Sequence, residues 1–273
     1  MNESRDTGEF YSLFASRVAA LLVIIALLVF MATPSCSAQA GADRPSKGNI
    51  LLVAGAHGDG LTWARVIPIL QGEGFHVAVA PLPLTGLAGD VAATRAVLAG
   101  MSGPTILVGW SWGGIVISEM GDDPKVVALV YIAALAPEVG QSSLDLLGLF
   151  PTNVLQIAKV DAAGGRWFSQ EDFVKYWCQD LPPAEAWLLA ADQRPILATA
   201  NADKATHAAW HNKPTWYQVA SKDLIQSPTL QRFLAKRMGA TTTEVDASHA
   251  SPYSRPREVA KLISDAAAKT LGH

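Results

Sequence analysis

The chain has little charge and almost no cysteine. Of its 273 residues, 16% are charged and 2 are cysteines, and the formal net charge is −3. No run or stripe of Lys and Arg occurs, which argues against binding of nucleic acid. Cysteine and histidine lack the spacing of a metal site, and no internal repeat occurs, so we expect no metal, no cofactor and no repeat architecture. Half of the residues are apolar, which suits the large core of one α/β domain.

An apolar run near the N-terminus is short for a membrane span. Residues 18–32 are uncharged and apolar, whereas a spanning helix needs about 20 residues. The run is followed by Ala38-Gln39-Ala40, the small-residue pattern of a signal-peptidase site. We therefore predict that residues 1–40 are a secretory signal peptide and that the protein is secreted or periplasmic. Acidic residues ahead of the run leave an uncleaved membrane anchor as the alternative, and only a retained segment would give a stable membrane partner.

Downstream, apolar strands alternate with helical segments through residues 41–273, the predicted mature domain. Such alternation predicts an α/β fold with a mostly parallel central sheet and helices on both faces. The predicted strands lie near 49–54, 75–80, 104–109, 126–133, 214–220 and 241–246, and the predicted helices near 61–71, 90–99, 113–120, 228–238 and 256–270. Residues 138–212 carry several prolines and no strand signal, which fits a small helical cap insertion. Cys178 is the only cysteine of this domain, so no intramolecular disulfide is expected.

Residues 104–117 (PTILVGWSWGGIVI) indicate a buried strand that turns sharply at Ser111 into a helix. Gly109 and Gly113 give the spacing Gly-x-Ser-x-Gly, which such a turn requires because strand and helix come too close for Cβ atoms. The turn lifts the serine hydroxyl clear of the sheet and directs the first helical N–H groups at whatever binds there. Ser111 is therefore the candidate nucleophile, and the alternative is a structural serine at a tight turn.

Two polar residues near the C-terminus complete a candidate catalytic set. Asp223 follows the predicted strand near 214–220, and His249 follows the predicted strand near 241–246. A nucleophilic serine needs a base and a group that orients this base. Serine, then acid, then histidine, with the last two just beyond strand ends, is the chain order of an α/β-hydrolase triad. Asp246 is the alternative acid.

With these pieces the sequence resembles the α/β-hydrolase superfamily, in particular small bacterial esterase-like members that are similar to plant methylesterases and hydroxynitrile lyases. The matching segments are residues 51–63, 87–98, 106–117, 126–138, 214–223, 230–245 and 248–263. The resemblance implies that Ser111 is the nucleophile, His249 the base and Asp223 the acid. It also implies that the backbone N–H groups of Ala56 and Trp112 form an oxyanion hole. The glycine-rich loop at 55–60 suits this role, because its N–H groups can turn toward the serine.

Two positions depart from the pattern of these relatives. Ala54-Gly55 stands where they usually carry His-Gly, and Trp110 stands where they usually have a histidine before the serine. Backbone oxyanion donors do not depend on these side chains, so the oxyanion hole can form without them. We expect the departures to affect the catalytic rate and the shape of the pocket. Large aromatic rings suit apolar or aromatic substrates. The candidate pocket residues are Trp110, His57, Trp177 and Trp187, with a packing or hydrogen-bonding role as the alternative for each.

These observations predict a serine hydrolase that cleaves carboxylic esters of small molecules, apolar or aromatic ones, through an acyl-enzyme intermediate. The same triad can also serve hydroxynitrile lyase or perhydrolase chemistry. The sequence distinguishes these activities from ester hydrolysis poorly, because the difference depends on the polarity of the pocket. A third possibility is a catalytically weak ligand-binding homologue. The departures at Ala54 and Trp110 favour that reading, and the intact set of serine, acid and histidine argues against it.

Overall fold

A computed structural model describes residues 47–272, so the predicted signal peptide at 1–40 lies outside the described residues. The strands are β1 (Asn49–Val53), β2 (His76–Val79), β3 (Thr105–Trp110), β4 (Val126–Ile132), β5 (Lys159–Val160), β6 (Gly165–Trp167), β7 (Ile196–Leu197), β8 (Thr215–Ala220) and β9 (Thr241–Val245). The α-helices are α1 (Ile67–Gly72), α2 (Leu87–Gly100), α3 (Gly113–Ser118), α4 (Ser143–Leu149), α5 (Val154–Ile157), α6 (Gln170–Trp177), α7 (Pro183–Asp192), α8 (Pro228–Met238), α9 (Ser251–Ser254) and α10 (Pro256–Thr270). Short 3₁₀ helices span Gly60–Trp63, Ala198–Ala202 and Ala209–His211. None of the helices in this part of the chain has the length and apolar character to cross a membrane.

Six strands form the central sheet in the order β2-β1-β3-β4-β8-β9, and every neighbouring pair is parallel. The predicted α/β fold is thereby confirmed, and the ends of each strand differ from the predicted ones by no more than one residue. The inner strands β1 and β3 are buried along their whole length. Continuous apolar runs of this kind are typical of parallel strands that are covered on both faces.

The alternating side chains of β1 show how both faces are covered. Ile50 and Leu52 pack in one apolar layer with side chains of α1 and α10. Leu51 points the other way, into a second layer with side chains of α2, α3 and α8. All three are fully buried, and burying one such side chain stabilises a fold by about 1.5–3 kcal/mol. Two well-filled layers therefore hold the carboxyl ends of the strands in fixed positions.

The predicted helix at 61–71 is in fact two shorter elements. A 3₁₀ helix covers Gly60–Trp63, and α1 begins only at Ile67. Pro68 lies in the first turn of α1. Because proline has no N–H to donate and its ring clashes with the preceding turn, a helix can begin at Pro68 but cannot run through it.

The chain between β4 and β8 forms a separate small substructure. We call residues 138–212 the cap. The α-helices α4 to α7 lie in this segment, in agreement with the helical insertion expected there. The cap also contains a three-stranded antiparallel sheet in the order β5-β6-β7, which the sequence analysis does not predict. These strands are two or three residues long, too short to show the alternation that identifies a strand in a sequence.

Candidate active site

Ser111 lies in a tight turn between β3 and α3. Its φ is 55°, a left-handed value that is rare for residues other than glycine. A Cβ atom on Gly109 would lie 2.6 Å from the carbonyl oxygen of Gly113, and one on Gly113 would lie 2.3 Å from the carbonyl oxygen of Val53. The backbone can therefore make this turn only with glycine at both positions, which is the steric reason for the spacing seen in the sequence.

The structure brings Ser111, His249 and Asp223 into one hydrogen-bonded chain. His249 Nε2 lies 2.8 Å from Ser111 Oγ, and His249 Nδ1 lies 2.6 Å from Asp223 Oδ2. All three residues are buried. The alternative acid, Asp246, is exposed and forms an ion pair with Lys222 instead. With a carboxylate at Nδ1, the imidazole keeps its proton on that nitrogen and presents Nε2 as the acceptor for the serine hydroxyl.

Asp223 is held by hydrogen bonds to both of its carboxylate oxygens. Oδ1 accepts from the backbone N–H groups of Ile225 at 2.7 Å and Gln226 at 2.9 Å. Oδ2 accepts from Gln231 Nε2 at 2.8 Å in addition to His249. These four hydrogen bonds fix the orientation of the buried carboxylate toward His249. Sequence reasoning finds Asp223 but not Gln231, because a glutamine inside a helix carries no motif.

Gln226 is a further contact of Ser111 that the sequence analysis missed. Its Nε2 donates to Ser111 Oγ at 3.1 Å, and its Oε1 has no hydrogen-bond partner among residues 47–272. The side chain is buried and lines the cavity over the serine. A donor at this distance stabilises negative charge on the oxygen when the serine loses its proton. The only signal in the sequence is its nearness to Asp223 along the chain.

The two tryptophans beside the serine have different positions. Trp110 is buried and does not line the cavity; its Nε1 donates to the backbone carbonyl of His249 at 2.8 Å, and the two rings lie 5.1 Å apart. Trp112 does line the cavity, and its Nε1 donates to Asp90 Oδ2 at 2.8 Å. Burial raises the pKa of the Asp90 carboxyl, and the Trp112 hydrogen bond opposes that rise. Trp110 thus supports the histidine loop, and it lines a smaller pocket that shares His57 and Trp177 with the cavity.

His57 lines the cavity as a neutral ring. Its Nδ1 donates to the Arg194 carbonyl at 3.1 Å, and its ring packs edge-on against Phe168 and Trp177. Burial lowers the pKa of His57 to about 3, so the imidazole carries no charge near neutral pH. Since Nδ1 holds the proton, Nε2 is the acceptor nitrogen of this ring.

The oxyanion donors proposed from the sequence also lie at this cavity. Ala56 and Trp112 line it together with Ser111, and neither N–H donates to an acceptor among the described residues. A Cβ atom on Gly55 would lie 2.6 Å from Ser111 Cβ, so the glycine-rich loop at 55–60 passes directly against Ser111. Ala54 is buried in the core below. The loop therefore reaches the serine without the histidine that the relatives usually carry.

The cavity over Ser111 has about 60 Å³ of water-accessible volume, within a depression of about 510 Å³ that includes open solvent. Its lining comes from the strand ends and from the cap, and most of it is apolar. The lining residues are Ala56, His57, Ser111, Trp112, Leu135, Ser143, Leu147, Val154, Arg166, Phe168, Trp177, Ile196, Asn201, Ile225 and Gln226. Trp177 is thus a pocket residue, whereas Trp187 is not: it lies on the outer side of α7, with 41% of its surface exposed.

Comparisons with known proteins agree with this architecture. The family model described as "Alpha/beta hydrolase family" matches residues 50–262. A probable hydrolase, R7, from Phoma sp. is 27% identical over 81% of this chain and 99% of its own length. The pyrethroid hydrolase of Sphingobium wenxiniae is 28% identical over 80% of this chain and 86% of its own length. A methylesterase from Arabidopsis has a similar fold, with a TM-score of 0.68, 17% identity and coverage of 81% of this chain and 99% of that one.

The family match covers both halves of the central sheet and the cap between them. It includes the turn at Ser111, the loop that carries Asp223 and the loop that carries His249. Together with the parallel sheet and the strained serine turn, this match shows that the chain belongs to the alpha/beta hydrolase family.

Proposed function

We propose that this protein is a serine hydrolase that cleaves carboxylic esters through an acyl-enzyme intermediate. The observation that carries the proposal is the hydrogen-bonded chain from Ser111 Oγ through His249 to Asp223. The strained turn and the glutamine donor at the serine oxygen support it as well. Among the relatives named above, a pyrethroid hydrolase and a methylesterase both have names that point to ester cleavage.

The reaction proceeds in two halves. His249 Nε2 takes the Ser111 proton while the serine oxygen attacks the ester carbonyl, and the resulting oxyanion accepts hydrogen bonds from the Ala56 and Trp112 N–H groups. His249 then gives the proton to the leaving alcohol, which departs and leaves an acyl-serine. In the second half, water loses a proton to His249 and attacks the acyl group. The proton returns to Ser111, and the carboxylic acid is released.

The cavity lining supports an ester with an apolar or aromatic body. Phe168, Trp177 and Leu147 contribute large apolar surfaces next to the serine. Apolar pockets with a few placed polar groups are the usual form of a small-molecule site.

The test is covalent labelling combined with turnover. Purified protein from Gly41 onward is treated with a fluorophosphonate, the modified peptide is identified by mass spectrometry, and hydrolysis of p-nitrophenyl acetate and butyrate is followed. We expect a single adduct on Ser111, and loss of both labelling and turnover in Ser111→Ala with an unchanged circular dichroism spectrum. Ser102→Ala, at an exposed serine, is the matched control and keeps full activity.

Two results would change the assignment. Undiminished hydrolysis by Ser111→Ala would remove the serine from the mechanism. A folded protein that neither labels nor turns over would instead favour a ligand-binding role. The same samples assayed for cyanide release from cyanohydrins, and for peracid formation, test lyase and perhydrolase chemistry.

We also propose that the protein is exported and that its leader is removed after Ala40. The support is the apolar run and the Ala-Gln-Ala pattern of the sequence. The intact mass of the protein isolated from the periplasm or medium tests this, and a full-length chain recovered in the membrane fraction would argue for a retained anchor.

A further inference from the structure

One cationic side chain is among the lining residues of the mostly apolar cavity at the proposed esterase site. Arg166 lies on β6 of the cap and lines the same cavity as Ser111. One of its Nη atoms donates to Asn201 Oδ1 at 2.8 Å. Among residues 47–272, no carboxylate lies within 4 Å of this guanidinium group. Asn201 is neutral, so the charge of Arg166 has no counter-ion at this site.

Nearby groups do not neutralise this charge either. Among the described residues that line the cavity, none is Asp or Glu. Asp223 is committed to His249, Gln231 and two backbone N–H groups. His57 is neutral, and the positive charge of Arg166 contributes to lowering the pKa of that ring. A substrate that enters the cavity therefore meets a single uncompensated positive charge.

The burial of Arg166 has a cost that a bound anion would offset. The side chain is only partly exposed, and the loss of solvent lowers the pKa of its guanidinium group. A partly buried charge without a counter-ion destabilises a fold unless a partner binds it. Guanidinium groups form paired, parallel hydrogen bonds with carboxylates, and one Nη of Arg166 is already fixed by Asn201.

We propose that the ester substrate carries a free carboxylate that binds Arg166, as in a monoester of a dicarboxylic acid. This inference rests on the proposed esterase function and narrows its substrate class. The ester carbonyl lies at Ser111, the apolar part of the substrate packs against Phe168 and Leu147, and the carboxylate pairs with Arg166. The product of hydrolysis is then a dicarboxylate.

The first experiment compares two esters that differ only at the end of the acyl chain. Monoethyl adipate ends in a carboxylate, and ethyl hexanoate has the same number of acyl carbons but ends in a methyl group. We expect kcat/KM to favour the adipate in the native protein. Arg166→Gln should lower that preference by about 10- to 100-fold, the usual loss for a hydrogen bond to a charged group, and Arg166→Lys should retain part of it. Lys159→Gln removes an exposed cation from the neighbouring strand β5 and serves as the matched control.

The second experiment measures binding without turnover. Monoethyl adipate is titrated by calorimetry into Ser111→Ala and into the double variant Ser111→Ala/Arg166→Gln. We expect the double variant to bind at least 10-fold more weakly, and binding to Ser111→Ala to weaken as salt is added. Fluorophosphonate labelling of Ser111 in Arg166→Gln shows whether the rest of the site is intact.

The outcomes separate this inference from the proposed function. Normal labelling of the native protein with no preference for monoethyl adipate overturns the inference and leaves the esterase proposal standing. The native protein alone is enough for this test. Equal preference in Arg166→Gln and in the native protein overturns it too. Absence of labelling and turnover, with binding of monoethyl adipate that depends on Arg166, would support the carboxylate site and reject the esterase.

Discussion

The two walls of the cavity are built in different ways. The wall formed by the strand ends is fixed by hydrogen bonds, with Ser111, His249 and Asp223 joined at 2.8 and 2.6 Å. The wall contributed by the cap has aromatic packing in addition to hydrogen bonds, with Phe168 and Trp177 at a ring distance of 4.3 Å. Hydrogen bonds fix direction as well as distance, whereas ring packing fixes mainly shape. From this difference we expect the proposed chemistry to depend mainly on the strand-end wall and the choice of substrate mainly on the cap.

The two walls meet at the histidine loop. The N–H of Ala250 donates to the carbonyl of Trp177 at 3.0 Å, and the Trp177 ring lies 5.8 Å from the ring of His249. On the other side, Trp110 Nε1 holds the His249 carbonyl. The loop is thus held by the Trp110 indole on one side and by the backbone carbonyl of Trp177 on the other, so we expect changes in the cap to affect the position of His249.

The largest effect is expected at the strand-end wall. In Asp223→Asn, the amide oxygen keeps the two backbone N–H bonds, and the amide nitrogen then faces His249 Nδ1. This arrangement favours the wrong imidazole tautomer, so kcat should fall on the order of 10⁴-fold with the fold intact. Steady-state kinetics on p-nitrophenyl butyrate measures this loss. Asp246→Asn, at the exposed alternative acid, should leave kcat unchanged; if it were the more damaging change, the acid would be misassigned.

The cap wall should respond in stability and KM rather than in kcat alone. Trp177→Ala removes a buried ring that packs against Phe168 and Phe173, and we expect a loss of about 3–5 kcal/mol in the free energy of unfolding. Trp177→Phe should cost far less, because the indole N–H has no hydrogen-bond partner in the described part of the chain. Urea denaturation and KM for neutral esters are the measurements. Trp187→Ala, on an exposed side chain, should change stability by no more than about 0.5 kcal/mol; equal losses at both positions would contradict the packing argument.

His57 makes the comparison sensitive to pH. Its folded-state pKa is about 3, below the ordinary 6.5, so the unfolded chain binds a proton that the folded chain does not. The contribution of neutral His57 to the free energy of unfolding is therefore fully present above about pH 6.5. It falls by about 1.4 kcal/mol per pH unit as the pH drops toward 3. His57→Asn keeps a donor for the Arg194 carbonyl and tolerates the φ of 66°. We expect this variant to lose less stability than the native protein between pH 6.5 and 4.5 in urea titrations. Parallel pH dependence in the two proteins would show that His57 is not the acid-sensitive group.

The smallest effect is expected at the indole that supports the base. Trp110→Phe keeps a ring beside His249 but leaves the backbone carbonyl of His249 without its indole donor. Leaving a buried acceptor unpaired costs about 1–3 kcal/mol in the free energy of unfolding. We expect kcat to fall by about 10-fold while KM changes little. Trp63→Phe is the matched control, because Trp63 has a buried indole whose N–H has no partner among the residues that the structure describes. A similar fall in both variants would mean that core packing, and not the hydrogen bond to His249, is responsible.

The sequence predicted the strand-end wall well and the cap poorly. The central strands are continuous apolar runs, so their ends, and with them the positions of Ser111, Asp223 and His249, could be read from the chain. The cap strands β5 to β7 are too short to carry a pattern. Arg166 lies on one of them, and its place in the cavity follows from antiparallel pairing of β6 with both neighbours. The sequence analysis assigned Trp187 to the pocket because the sequence of α7 does not show which face of the helix is buried.

Features that depend on local sterics and on strand order could be predicted from the sequence. Glycine is required on both sides of Ser111 because a Cβ atom at Gly109 or Gly113 would clash with the backbone, and a parallel sheet brings its carboxyl strand ends to one edge whatever the side chains do. Which side chains meet at that edge depends on the tertiary structure. Gln226 reaches Ser111 across 115 residues, and Trp110 reaches the His249 carbonyl across 139. Such contacts depend on side-chain direction and on the packing of distant segments, which no local pattern encodes.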